Sequence, residues 1–215
     1  MNTINTSCVY IVICVLSFSG CSDKSDKTVS TSTADAPPPP TKNSPTATAP
    51  VSQPTKTEAE RTLDRANAGN ASWQHSAGTM FKFGIGVPKN DTEAVKWFRL
   101  AADQGYKLAQ YDLGNMYYTA RGVPQNYPEA MKWYRLAADQ GHLPAQYSLG
   151  KGYALGEGVS QDLVEAYARY SVAATGRFTS GDKERDAVAS KLTPDQLAEG
   201  QKRATELLEK INSKQ

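Results

Sequence analysis

Beyond residue 21 the chain has no cysteine; Cys8, Cys14 and Cys21 are the three it holds. Residues 22–215 therefore have no thiol for a disulfide, a thiolate nucleophile or a Cys-ligated metal. Histidine is scarce as well. With only His75 and His142, a histidine-rich metal site is not expected, and no other cofactor is indicated. Charge of one sign is not in excess, since 24 Lys and Arg face 22 Asp and Glu for a net +2. That balance gives no strong field, so no nucleic-acid partner is expected. The apolar run at residues 9–16, with Phe18 close behind, is too short to span a bilayer.

What the chain does have is a period. Residues 105–140 match residues 69–104, the stretch 36 positions earlier, at 18 of 36 positions, and residues 141–176 at 15 of 36. The recurring positions include Gly78/Gly114/Gly150, Gly86/Gly122/Gly158, Ala94/Ala130/Ala166 and the pairs Ala101–Ala102, Ala137–Ala138 and Ala173–Ala174. A fixed period of this size is the signature of stacked supersecondary units.

Each unit divides into two helices. In residues 106–120, Ala109, Leu113, Met116, Tyr117 and Ala120 fall at helical spacing. Gly114 sits mid-helix, where glycine costs about 1 kcal/mol against alanine, so its recurrence implies another helix approaching too closely for a side chain. The loop 121–124 follows, with Gly122 free to take the positive φ of a helix C-terminus. The second helix starts at Asn126. Asn90, Asn126 and Asp162 each precede a glutamate by three positions (Glu93, Glu129, Glu165), the spacing of a capping box. Ala130, Trp133, Tyr134, Ala137 and Ala138 form its buried stripe. The third copy has Arg169 where the others have Trp97 and Trp133, so its second helix is expected to end against a cap.

The flanks read differently. Residues 57–68 form a capping helix, a partial repeat. Residues 177–215 supply two more helices, one over 181–192 and one started by Thr193-Pro194-Asp195-Gln196, which close the solenoid. Of residues 22–56, 24 of 35 are Pro, Ser, Thr or Ala, a composition that reads as a disordered linker.

The residues Gly105, Ala109-Gln110, Leu113-Gly114, Met116-Tyr117, Gly122-Val123, Ala130, Trp133 and Ala137-Ala138 resemble the Sel1-like repeat, an α/α relative of the tetratricopeptide repeat. The resemblance implies an all-α fold. It would be an α/α solenoid, a right-handed superhelix of three repeats (69–104, 105–140 and 141–176) between N- and C-terminal capping helices. It also implies an adaptor or scaffold that binds other proteins. Some relatives are cysteine-rich and reported to act on β-lactams; with no cysteine in these repeats, that activity is not carried over. Residues 1–20 read as an export signal. Ser19-Gly20-Cys21 resembles a bacterial lipobox, which implies acylation of Cys21 and a membrane contact through that lipid anchor alone. Ser22 after the anchor favours the outer membrane, facing the periplasm. Cleavage after Ser19 would instead release a soluble periplasmic or secreted protein.

No constellation of catalytic residues stands out. His75 and Ser76 are adjacent, and adjacent helix positions do not face each other. The three glutamates belong to caps. The Gly84-Ile85-Gly86 and Gly156-Glu157-Gly158 loops lack the strand and lysine of a phosphate loop. What remains is a surface. Opposite the core stripe, the first helix of the central repeat carries Leu108, Tyr111, Asp112, Asn115 and Tyr118. The same offsets give His75, Ser76, Thr79 and Lys82 before it, and Tyr147, Ser148 and Lys151 after it. Tyrosine suits interfaces, giving rigid apolar area with a polar tip. The expectation is a non-enzymatic envelope lipoprotein that binds a protein partner through this groove. An alternative is an immunity protein neutralising a secreted lipase-type effector in the periplasm, and a second is an envelope enzyme acting on peptidoglycan.

Overall fold

The structure, a computed structural model, describes residues 56–176 and 179–213. The expected signal segment, Cys21 and the linker up to residue 55 lie outside the described residues. Nine helices and no strand are found among the described residues: α1 Glu58–Asn67, α2 Ala71–Phe83, α3 Asp91–Asp103, α4 Lys107–Tyr118, α5 Tyr127–Ala138, α6 Leu143–Leu155, α7 Leu163–Ala174, α8 Thr179–Ala189 and α9 Pro194–Asn212. Each helix packs on its sequence neighbours up to α7, which then packs on both α8 and α9. The result is an all-α solenoid of stacked helix pairs α2–α3, α4–α5 and α6–α7.

Within each pair the mid-helix glycine has a specific partner. A Cβ on Gly78 would lie 2.5 Å from Phe98, one on Gly114 2.6 Å from Tyr134, and one on Gly150 2.8 Å from Tyr170. The close approach is thus made by an aromatic ring of the pair's second helix. All three rings are buried. Along α5 the buried residues are Ala130, Met131, Tyr134, Ala137 and Ala138. Met131 therefore joins the stripe where Trp133 was expected. Trp133 is half-buried, and its Nε1 has no hydrogen-bond partner among the described residues.

The caps form, with one correction. Asn90, Asn126 and Asp162 each accept a hydrogen bond from the backbone N–H three residues on. The glutamates do not return the bond. Glu93 accepts from Lys96 (2.6 Å), Glu129 from Lys132 (3.0 Å) and Glu165 from Arg169 (2.7 Å). A basic residue one turn along outcompetes a neutral N–H for the carboxylate. Complete capping boxes occur instead at Thr57/Glu60 and Thr193/Gln196.

Between pairs runs a ladder of buried glutamines. Gln74, Gln110 and Gln146 donate to the carbonyls of Ala66, Ala102 and Ala138, at the end of the preceding helix (3.4, 3.2 and 3.0 Å). Gln74 and Gln110 then accept from Gln104 (2.6 Å) and Gln140 (2.8 Å). One period on, Gly176 has no side chain to offer, and Arg169 donates to Gln146 in its place (3.1 Å). Arg169 is 8% exposed and also held by Glu165. The two departures of the third repeat, Trp to Arg and Gln to Gly, therefore compensate each other.

Ala120 is a second correction. It lies past the end of α4 and is exposed, with φ 56°. Its equivalents, Gly84 and Gly156, are the left-handed C-caps of α2 and α6. The left-handed position expected at Gly122 is thus taken two residues earlier. Gly122 also has positive φ (70°), and a side chain there would run into the Asp91 carbonyl at the start of α3.

Candidate functional site

The first helices of the pairs (α2, α4 and α6) lie side by side, and their facing side chains meet. Asp112 of α4 accepts from His75 Nε2 (2.9 Å) and Lys82 Nζ (2.8 Å), both on α2. Burial alone would push the Asp112 carboxyl up; the bonds from His75 and Lys82 more than offset it and leave it below its ordinary value. All three side chains are at most 20% exposed. The His75 ring also packs between Phe98 and Tyr106, at 5.6 and 5.3 Å. His75, Lys82 and Asp112 thus spend their polarity on joining two repeats. Thr79 turns its hydroxyl back onto the His75 carbonyl (3.0 Å). Ser76 likewise donates to the Ser72 carbonyl (3.0 Å), while His75 faces Asp112.

Between α4 and α6 the side chains do not close ranks. Tyr111, Asn115, Tyr118, Tyr147 and Lys151 surround a cavity of about 320 Å³, with Ser148 and Thr119 at its wall and Tyr134 of α5 at its floor. Its geometry is fixed from below. Tyr134 donates its hydroxyl to Asn115 Oδ1 (2.9 Å), which holds the amide in place. The Tyr111 ring lies 5.9 Å from Tyr134 and 4.7 Å from His142. Tyr118 donates to Glu157 (2.6 Å), packs edge-on against Tyr127 and carries Lys151 Nζ 5.0 Å above its ring. Burial pushes the phenols of Tyr134 and Tyr118 up, and the hydrogen bond to Tyr118 raises the Lys151 ammonium. The site is therefore one exposed lysine beside a set of phenols and one amide, with the Glu157 carboxylate holding Tyr118. Such a set can bind an apolar or aromatic group with an acidic neighbour; it has no activated nucleophile.

The structure brings five of the nine expected protein-binding residues together (Tyr111, Asn115, Tyr118, Tyr147 and Lys151). It sets His75, Lys82 and Asp112 apart in the inter-repeat ion cluster, with Thr79 turned onto its own helix. Tyr134 and Glu157 were missed. Tyr134 reads from its spacing as core, and it is core; the available signal was its hydroxyl, because a buried phenol must find a partner. No group of three His, Cys, Asp or Glu among the described residues is placed to hold a metal, and no described helix is long and apolar enough to cross a membrane.

A family model of the Sel1 repeat matches residues 74–106, 107–142 and 143–175. A Sel1 repeat protein from Oxalobacter formigenes is 35% identical over 60% of this chain and 96% of its own, with a TM-score of 0.55. The chain is a Sel1-repeat protein. A protective antigen of uropathogenic Escherichia coli strains, displaying the same repeat fold, is 33% identical over 71% of this chain, with a TM-score of 0.67. This Sel1-repeat chain spans only 33% of that antigen's length. No curated protein matches it. Sel1-repeat proteins are generally non-catalytic scaffolds, and the fold usually serves protein–protein interaction.

Proposed function

We propose that this Sel1-repeat protein is a non-enzymatic envelope lipoprotein that binds another protein in the tyrosine-lined cavity between α4 and α6. The observation that carries the reading is the cavity itself, preformed from three half-buried tyrosines and an exposed lysine on adjacent repeats. Preformed sites need little ordering on binding, and rigid tyrosines are favoured anchors. Cys21 is the anchoring residue, and the outer membrane, facing the periplasm, is the location that Ser22 favours.

The test fills the cavity without removing any tyrosine. Thr119→Arg, at an exposed wall position, and Ser148→Arg should abolish capture of the partner from envelope extracts while leaving helical circular dichroism unchanged. Capture that survives both variants would place the interface elsewhere. Recovery of a secreted lipase by the parent protein and not by Thr119→Arg would narrow the role to neutralising that effector. For the anchor, Cys21→Ser is expected to move the protein from the membrane to the soluble fraction.

A further inference from the structure

The N-terminal edge of the solenoid carries a second groove, distinct from the tyrosine cavity. It has a volume of about 540 Å³ and lies between α1 and α2, with Thr62 on one wall, Trp73, Ser76 and Met80 on the other and Ile85 at the rim. Ile85 is 57% exposed and the neighbouring Phe83 62%.

The repeat register shows what belongs there. The Ala66 carbonyl accepts from Gln74 as the Ala102 carbonyl accepts from Gln110 and the Ala138 carbonyl from Gln146. Residue 66 therefore corresponds to 102 and 138, and α1 is the second helix of a pair. Thr62 then stands where Phe98, Tyr134 and Tyr170 stand. Each of those rings packs against the glycine of its own pair's first helix. Among the described residues, α1 has no such first helix. On α2, Trp73, Ser76 and Met80 correspond to Ala109, Asp112 and Met116. Ala109 and Met116 are at most 1% exposed, and Asp112 is tied to the preceding first helix through His75 and Lys82. The groove thus lies where a first helix preceding α1 would sit, and no described residue fills that place. The chain's own segment at that register, residues 35–47, holds five prolines, and proline excludes a helix interior.

We propose that this groove is a docking site for an amphipathic helix of a partner protein, seated where a first helix preceding α1 would lie. Thr62 stands where the repeats have an aromatic ring; it is 6% exposed and smaller than that ring, so the glycine demanded opposite the ring inside the repeats is not demanded here. The fitting helix carries a large apolar side chain at its centre, where α2, α4 and α6 carry Gly78, Gly114 and Gly150. A second copy of this edge is a poor occupant, because it presents the same concavity. The interaction is of the helix-in-groove kind, with anchors at helical spacing.

The probe is a stapled peptide of residues 107–118, the sequence of α4, made with Gly114 and with Gly114→Leu. Stapling removes most of the ordering cost that leaves short free helices marginal. Titration into the full chain, followed by Trp fluorescence, should show the Gly114→Leu peptide binding at least tenfold more tightly than the glycine form. Ser76→Arg and Ile85→Asp in the protein should each weaken it tenfold or more without shifting the melting point. Thr119→Arg, which fills the other cavity, should leave it unchanged, so failure of one site is distinguishable from failure of the other. Absence of binding, equal affinity of the two peptides, or affinity untouched by Ser76→Arg and Ile85→Asp would overturn the proposal. So would sedimentation showing that Ile85→Asp dissociates a homodimer, since the edge would then be occupied by a second copy.

Discussion

At the scale of single residues, Ala120 is the place where the repeat pattern and the backbone disagree. Its φ of 56° is one that alanine adopts at a cost of roughly 1–2 kcal/mol. Gly84 and Gly156 show the solution at the equivalent positions. Ala120→Gly is expected to raise stability by up to about 1 kcal/mol, a rise of a few degrees in melting temperature for a domain of this size. A lowered melting point would mean that the left-handed turn is absent in solution. Among the groups that make stability depend on pH are two at the repeat junctions, His142 and Asp112. His142 is held below 6.5, chiefly by burial with Lys107 adding to it. A lowered histidine value means that the unfolded chain takes up the proton first. The contribution is present above 6.5 and lost as pH falls below it. Asp112 is held below 3.8, so its contribution is present above that value and lost as pH falls through the folded one. We expect the denaturant midpoint to fall in two steps on acidification, with His142→Gln flattening the first and Asp112→Asn the second.

At the scale of helices, each pair is locked by a ring in a glycine slot. Gly114→Ala gains roughly 1 kcal/mol in helix propensity. Its Cβ would also lie 2.6 Å from the Tyr134 ring, which is 2% exposed and has nowhere to go. Overpacking of this kind costs about 1–3 kcal/mol, so a net loss is expected in chemical denaturation. The slot was legible in the sequence as a recurring mid-helix glycine; its occupant was not, because a period says which positions are equivalent and not which atoms touch. Arg169 shows the same limit. Sequence marks it as a departure, while its bonds to Gln146 and Glu165 show it to be a replacement for a missing glutamine. Arg169→Met should destabilise by about 2 kcal/mol, by leaving the buried Gln146 oxygen without its donor.

For the molecule as a whole, the two ends are finished differently. At the C-terminal end α7 is sandwiched by α8 and α9, and Ala168 and Val172 are fully buried against Ala204 and Ile211. A chain ending at Gly176 would expose that face, and we expect it to aggregate or melt without cooperativity; a soluble, sharply melting fragment would show that the cap is dispensable. At the N-terminal end α1 covers α2 only in part, which leaves the groove beside Trp73. The fold was legible because its determinants are local and repeated: apolar spacing, caps and glycines recur every 36 residues. The candidate site was legible only in outline. The offsets that nominate Tyr111 and Tyr118 nominate His75 and Lys82 equally. What separates them is Asp112, whose single carboxylate accepts from both His75 and Lys82 of the neighbouring repeat, while Tyr111 and Tyr118 line the cavity between α4 and α6.

The sequence by itself determined the number of repeats, through their 36-residue period, and the helix starts within the repeats, since caps and apolar spacing act within about four residues along the chain. Only the tertiary structure decided which polar side chains pair across repeats, which aromatic rings fill which slots, and that a groove opens between α1 and α2. Those pairings and slots depend on distances between residues 20 or more positions apart, and a one-dimensional pattern carries the register of such contacts without their geometry.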